Sequence, residues 1–117
     1  MKLFDSELRV MELLWDLGPM RASDIAKKLG EEIGWNKNTT YTVIKKCLSK
    51  GAIGREDPGF ICTARVSRET VQQQETSELI RKLFKNSKKD FLAAFFEAEE
   101  IGETERQTLL KFIENQK

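Results

Sequence analysis

The hydrophobic positions of the chain follow two periods. In "DSELRVMELLWDLG" the apolar residues Leu8, Met11, Leu14 and Trp15 share one face of a helix that Asp5 is placed to cap. "RASDIAKKLG" sets Ala22, Ile25, Ala26 and Leu29 at i, i+3, i+4 and i+7, a helix of about two turns that needs neighbours to stay folded. "WNKNTTYTVIKKCLSKG", residues 35 to 51, turns Thr40, Val43, Ile44, Cys47 and Leu48 to one side of a third helix spanning 37–50. After Gly51 the period shortens. In "FICTARV", Phe60, Cys62, Ala64 and Val66 alternate with Ile61, Thr63 and Arg65, which is a strand pattern, and "AIGRE" before it supplies a partner strand. Asp57-Pro58-Gly59-Phe60 between them suits a type II turn. The helical period then returns to the end of the chain. Ser67 and Ser87 are placed to cap two helices, and Thr104 with Gln107 has capping-box spacing for the last. Gly18-Pro19, Gly30, Gly51 and Gly102 read as helix stops.

Three helices followed by a hairpin is the order of a winged helix-turn-helix. The fold class expected is therefore mainly α with a small β-hairpin. A winged helix-turn-helix domain spans 1–66, and a C-terminal helical dimerisation region spans 67–117, with the boundary at Val66-Ser67. The seven residues from Gly30 to Asn36 exceed the turn of the simplest helix-turn-helix.

The polar side of the third helix carries the functional signal. Opposite the apolar positions lie Asn38, Tyr41, Thr42, Lys45, Lys46 and Ser49, with Thr39 at the N-terminal edge. From Gly34 to Arg55 there are five cations (Lys37, Lys45, Lys46, Lys50 and Arg55) and no Asp or Glu. Asn and Thr reach base edges, Thr and Tyr bond phosphate oxygens, and lysines neutralise the nucleic-acid backbone. Lysines on a helix also serve plain solubility. The position of this helix, third of three and ahead of a hairpin, favours double-stranded DNA as the partner. Lys37, Asn38, Thr39, Tyr41, Thr42, Lys45, Lys46 and Arg55 are the candidate contacts. The wing tip "REDPGF" sets Arg55 beside Glu56 and Asp57, so the wing is expected to contribute less than the helix.

Composition narrows the alternatives. The net charge is only +1 although 33% of residues are charged, so attraction to a polyanion must come from local patterning. Histidine is absent, and there is no CxxC or glycine-rich phosphate loop, so the common catalytic and metal-binding arrangements have no support. The chain reads as a non-enzyme with no cofactor. Cys47 and Cys62 sit in apolar patterns, as buried free thiols do. No signal-like segment or membrane-length apolar run occurs, and the expected location is the cytoplasm.

Together, "DSELRVMELLWDLGPMRASDIAKKL", "WNKNTTYTVIKKCLSKGAIGRE" and "LIRKLF…FLAAFFEAEEIGETERQTLLKFI" resemble the penicillinase-repressor family of BlaI/MecI type, with the CopY repressors as relatives. The resemblance spans nearly the whole chain. It implies a winged-helix homodimer that represses transcription from an inverted-repeat operator, with C-terminal helices forming the dimer. The positions it matches to the reading helix are Asn38, Thr39, Tyr41 and Thr42. Family members often carry a basic residue where Asn38 and Tyr41 stand. In β-lactam-responsive members a membrane metalloprotease sensor leads to repressor cleavage at an Asn-Phe bond; the matching pair here is Ala94-Phe95. The cysteine-rich tail of the copper-responsive branch has no counterpart in "ENQK".

Five of the seven phenylalanines (Phe84, Phe91, Phe95, Phe96 and Phe112) follow residue 80. With Leu79, Leu83 and Leu109 they form the expected dimerisation surface, since three short helices cannot easily enclose so much aromatic area alone. Packing of these rings back onto the winged domain is the plain alternative. Two other functions stay open: a protein-interaction module that has lost DNA affinity, and a ligand-sensing winged-helix regulator.

Overall fold

The computed structural model describes residues 1–116. Its first helix, α1 (Asp5–Leu17), buries Val10, Met11, Leu13 and Leu14, with Leu8 and Trp15 packed at the edge of the core. The buried stripe is thus rotated slightly from the one that spacing alone predicts. α1 also starts differently: Phe4, not Asp5, is the N-cap, and the Glu7 carboxylate accepts its N–H at 2.7 Å. Glu7, held inside the core, supplies the acceptor at this helix start, whereas Asp5 faces solvent.

A two-residue strand, β1 (Met20–Arg21), leads directly into α2 (Ala22–Ile33). Gly30 lies inside α2, which runs on to a left-handed cap at Gly34 (φ 73°). Gly34 satisfies the last turn by donating its N–H to the Gly30 carbonyl. Only Gly34, Trp35 and Asn36 then separate α2 from α3 (Lys37–Ser49), so the connection is the tight turn of a helix-turn-helix.

Strands β2 (Ile53–Glu56) and β3 (Ile61–Ala64) form the wing, paired antiparallel with Ile53 opposite Ala64 and Glu56 opposite Ile61. β1 adds on the other side of β3, with Met20 opposite Cys62, giving the order β1-β3-β2. This third strand is too short to leave a period in the sequence. The wing loop departs from a type II turn: the Asp57-Pro58 peptide is cis, and positive φ falls on both Gly59 and Phe60. The Asp57 carboxylate organises the loop by accepting the Phe60 N–H at 3.3 Å and bonding Arg55.

Three more helices follow: α4 (Arg68–Phe84), α5 (Lys88–Ala98) and α6 (Glu103–Glu114). Ser67 and Ser87 accept from Thr70 N–H and Asp90 N–H, as expected of caps. α6 starts at Gly102 rather than Thr104, and Gln107 bonds Glu103 within the helix, so the Thr104 capping box does not form. Gly102 therefore begins a helix instead of ending one, because α5 has already stopped at Ala98.

The chain divides into two compact units, Met1–Thr76 and the residues from Ser77 on. The sequence pattern changes at Val66-Ser67, ten residues earlier, because the start of α4 packs on the first unit. Val71 is buried there, Trp15 donates its indole N–H to the Val66 carbonyl at 2.9 Å, and Arg68 reaches Glu12 and Asp16 at 2.6 Å each. In the second unit Phe84 meets Phe91 edge-on at 5.7 Å and Phe95 meets Phe96 at 5.5 Å, yet α5 and α6 bury no residue fully.

One ionic contact runs through the first unit's core. Glu7 is 1% exposed, and its Oε1 accepts from Lys50 Nζ at 2.5 Å; Lys50 also donates to the Lys2 carbonyl and lies 4.3 Å over the Phe4 ring. Burial alone would push the Glu7 carboxyl up. Hydrogen bonds from Lys50 and the Phe4 N–H, with the charges of Lys50 and Lys46, outweigh it and hold the group below its ordinary value. A carboxyl lowered by folding adds stability above its unfolded value of 4.5 and loses it as pH falls through the lower folded value. Urea denaturation should therefore show an acid-limb loss of stability below about pH 4.5 that is flattened in Glu7→Gln. Lys50→Ala, which strands the buried carboxylate, should cost about 3 kcal/mol at pH 7.

Candidate nucleic-acid interface

α3 is divided as its sequence requires. Thr40, Val43, Ile44 and Cys47 are buried and Leu48 half-buried, while Asn38, Thr39, Thr42, Lys45, Lys46 and Ser49 are exposed together on the other side. The helix begins at Asn36, whose side-chain oxygen accepts the Thr39 N–H at 2.8 Å. Asn36 escapes a reading based on apolar spacing, although an Asn just ahead of a helical period is itself a cap signal. No acidic residue occupies the first turn, so nothing screens the positive end of the helix dipole.

The candidate residues do not all behave alike. Thr42 donates its hydroxyl proton to the Asn38 carbonyl at 2.9 Å, leaving that hydroxyl as an acceptor. Tyr41 is half-buried and leans toward the wing, its ring edge-on to Phe60 at 5.9 Å and 5.7 Å from Lys37 Nζ. Arg55 stacks 3.6 Å over the other partner of that contact, Phe60, and its Nε is 3.1 Å from Asp57 Oδ2. Lys37, Tyr41, Phe60 and Arg55 thus form a continuous bridge from α3 to the wing. The position of Phe60 in it was not legible in the alternation of its strand, which turns Phe60 simply to one face.

The five cations of the acid-free stretch separate into two groups. Lys50 is committed to Glu7, and the charge of Arg55 is offset by Asp57. Lys37, Lys45 and Lys46 remain exposed with no ion pair among the described residues. Arg21 joins this neighbourhood from β1: it is exposed, and its guanidinium approaches Gly59 of the wing loop. Arg65, by contrast, lies across Gly54, where any side chain would collide with it.

Neither cysteine is a nucleophile. Cys47 is fully buried, and burial, reinforced by the Glu7 charge, pushes its thiol up to about 12; burial raises Cys62 as well.

The residues expected to mediate dimerisation lie on the second unit's helices. Leu79, Leu83, Phe95, Phe96 and Phe112 are exposed, Leu83 and Phe112 to more than 60%. Phe84, Phe91 and Leu109 are half-buried. Ala94 is half-buried beside exposed Phe95, both within α5.

The architecture is that of a winged-helix transcriptional regulator followed by additional helices. The chain belongs to the penicillinase repressor family, whose model matches residues 3–115. It is 20% identical to the penicillinase repressor of Bacillus licheniformis over 118 aligned positions, covering 99% of this chain and 92% of that one. An uncharacterised 16.5 kDa protein of Latilactobacillus sakei is 28% identical over 102 positions, 86% of this chain and 70% of the relative. The solution structure of the DNA-binding domain of the repressor BlaI superposes with a TM-score of 0.54 at 25% identity, covering 57% of this chain and 84% of that domain. Family membership places the chain among transcriptional regulators rather than enzymes.

The cap at Asn36 is open to a direct check. Asn36→Ala should lower unfolding stability by about 1 kcal/mol in chemical denaturation, with the change confined to the midpoint and not the slope.

Proposed function

We propose that this chain is a homodimeric DNA-binding transcriptional repressor that occupies an inverted-repeat operator through α3. The observation that carries the reading is the outer side of α3: Lys37, Lys45 and Lys46 unpaired, Asn38 and Thr39 exposed beside them, and no carboxylate among them. Its likeness to a domain described as the DNA-binding domain of the repressor BlaI supports the same reading. Lys45 and Lys46 anchor phosphates, Asn38 and Thr39 read base edges, Thr42 accepts from a base or a bridging water, and Tyr41 sets the wing against the helix. Arg55, already paired, serves the wing loop more than the duplex, and Arg21 is the added phosphate contact on that side.

The dimer forms through the second unit, where exposed Leu83, Phe95, Phe96 and Phe112 meet their symmetry mates. Each Phe fully buried there contributes about 1.5–3 kcal/mol. Pairing two reading heads adds an effective-concentration gain of about 10²–10⁴, and their half-sites lie about 10 bp apart or a multiple of it. Cutting the Ala94-Phe95 bond, in response to a membrane metalloprotease sensor, would dismantle that surface and leave α3 untouched. The protein acts in the cytoplasm, and no described helix is long and apolar enough to cross a membrane.

Binding to fragments of the upstream region should weaken steeply with salt, log K falling by about 0.9 per phosphate neutralised. Replacing Lys45 and Lys46 by Ala should weaken all DNA and reduce that slope by about two, whereas Asn38→Ala should cost about 1–3 kcal/mol at particular base pairs only. Salt-independent binding would point to a protein-interaction module instead. Phe95→Asp should shift sedimentation from dimer to monomer and reduce operator affinity by about 10²-fold or more; an intact dimer with full affinity would break the proposed coupling.

A further inference from the structure

A cleft of about 440 Å³ opens between the start of α1 and the outer side of α3, lined by Phe4, Glu7, Thr42, Lys45, Lys46 and Ser49, with Lys50 closing one wall. Its volume is in the range of small-molecule sites. All of its residues belong to the first compact unit. Three features define what would fit. Phe4 is 58% exposed at the rim, a large apolar side chain open to solvent. Lys45 and Lys46 face solvent without an ion pair among the described residues, while Lys50 is held by Glu7, the Lys2 carbonyl and the Phe4 ring. Lys2 adds a further cation, 5.8 Å from the same ring. Glu7 is the one carboxylate of the lining; its Oε1 is bonded to Lys50, and its buried Oε2 has no hydrogen-bond partner among the described residues.

We propose that this cleft binds a small aromatic carboxylate, and that such a ligand and DNA exclude one another. The aromatic body stacks on Phe4, where an edge-on or offset pair is favoured. The carboxylate is drawn to Lys45 and Lys46, the two lysines of the lining that have no ion pair among the described residues. Exclusion follows because Lys45 and Lys46 are also the phosphate anchors of the proposed DNA interface, and this part of the inference rests on that reading. Occupancy would free the operator without cutting the chain, a release distinct from disruption of the second unit.

The probe is 3-phenylpropionate, titrated into the full chain and followed by backbone amide NMR, with acetate as the control. The expected result is saturable shifts at Phe4 and along α3 from Thr42 to Lys50. Phe4→Ala, which keeps the backbone donor to Glu7, should weaken binding about tenfold. The bound probe should displace DNA in proportion to its occupancy. Absence of saturable shifts, equal shifts from acetate, or indifference to Phe4→Ala in a folded variant each overturns the site. Saturable, Phe4-dependent binding that leaves DNA bound would keep the ligand site but overturn both the exclusion and the role of Lys45 and Lys46 as phosphate anchors.

Discussion

Everything the outer side of α3 can do depends on how its inner side is held. Thr40, Val43, Ile44 and Cys47 pack against α1 and α2, so rotation of the helix about its axis would expose the apolar stripe and bury lysines. Its two ends are pinned by different means. At the start, Asn36 closes the helix with a local cap. At the end, Lys50 is drawn inward by Glu7, 43 residues away in sequence, and its own carbonyl-bound ammonium ties the chain's first residues to the same point. A buried ion pair is a costly device when measured against apolar packing, but it specifies one arrangement strongly because an unpaired carboxylate in that position is much worse.

That anchoring explains an otherwise odd distribution of charge. The acid-free stretch contains five cations, yet three keep their charge free for a partner. Lys50 organises the core, and Arg55 organises the wing loop with Asp57 and Phe60. The free lysines lie in the first turn of α3 and toward its C-terminal end, so attraction to a polyanion is concentrated on one helix although the chain is nearly neutral overall. The Tyr41–Phe60 contact then couples that face to the wing through packing. A phenol in this position acts as a spacer between two structural elements before it acts as a donor.

The second unit follows a different physical logic. Its aromatic pairs, Phe84 with Phe91 and Phe95 with Phe96, give α4 and α5 local order, but its helices leave large apolar side chains in contact with water. A helix surface of that kind gains stability by association rather than by its own fold. The first unit, by contrast, closes a buried core.

The periodicity of the chain by itself determined the three leading helices, the hairpin, the inward and outward sides of α3 and the burial of both cysteines. These follow from local spacing, which any neighbouring surface must respect. The tight α2–α3 turn was obscured by Gly30, because glycine is tolerated inside a helix whose end is set elsewhere, here by the left-handed cap at Gly34. β1 exists only because β3 offers it an edge, and the division inside α4 exists only because Val71 and Arg68 find partners on the first unit. Which lysine turns inward, which arginine is neutralised and what Tyr41 packs against were likewise decided by the tertiary structure. Each depends on a group distant in the chain, and hydrophobic spacing carries no information about a charge's eventual partner.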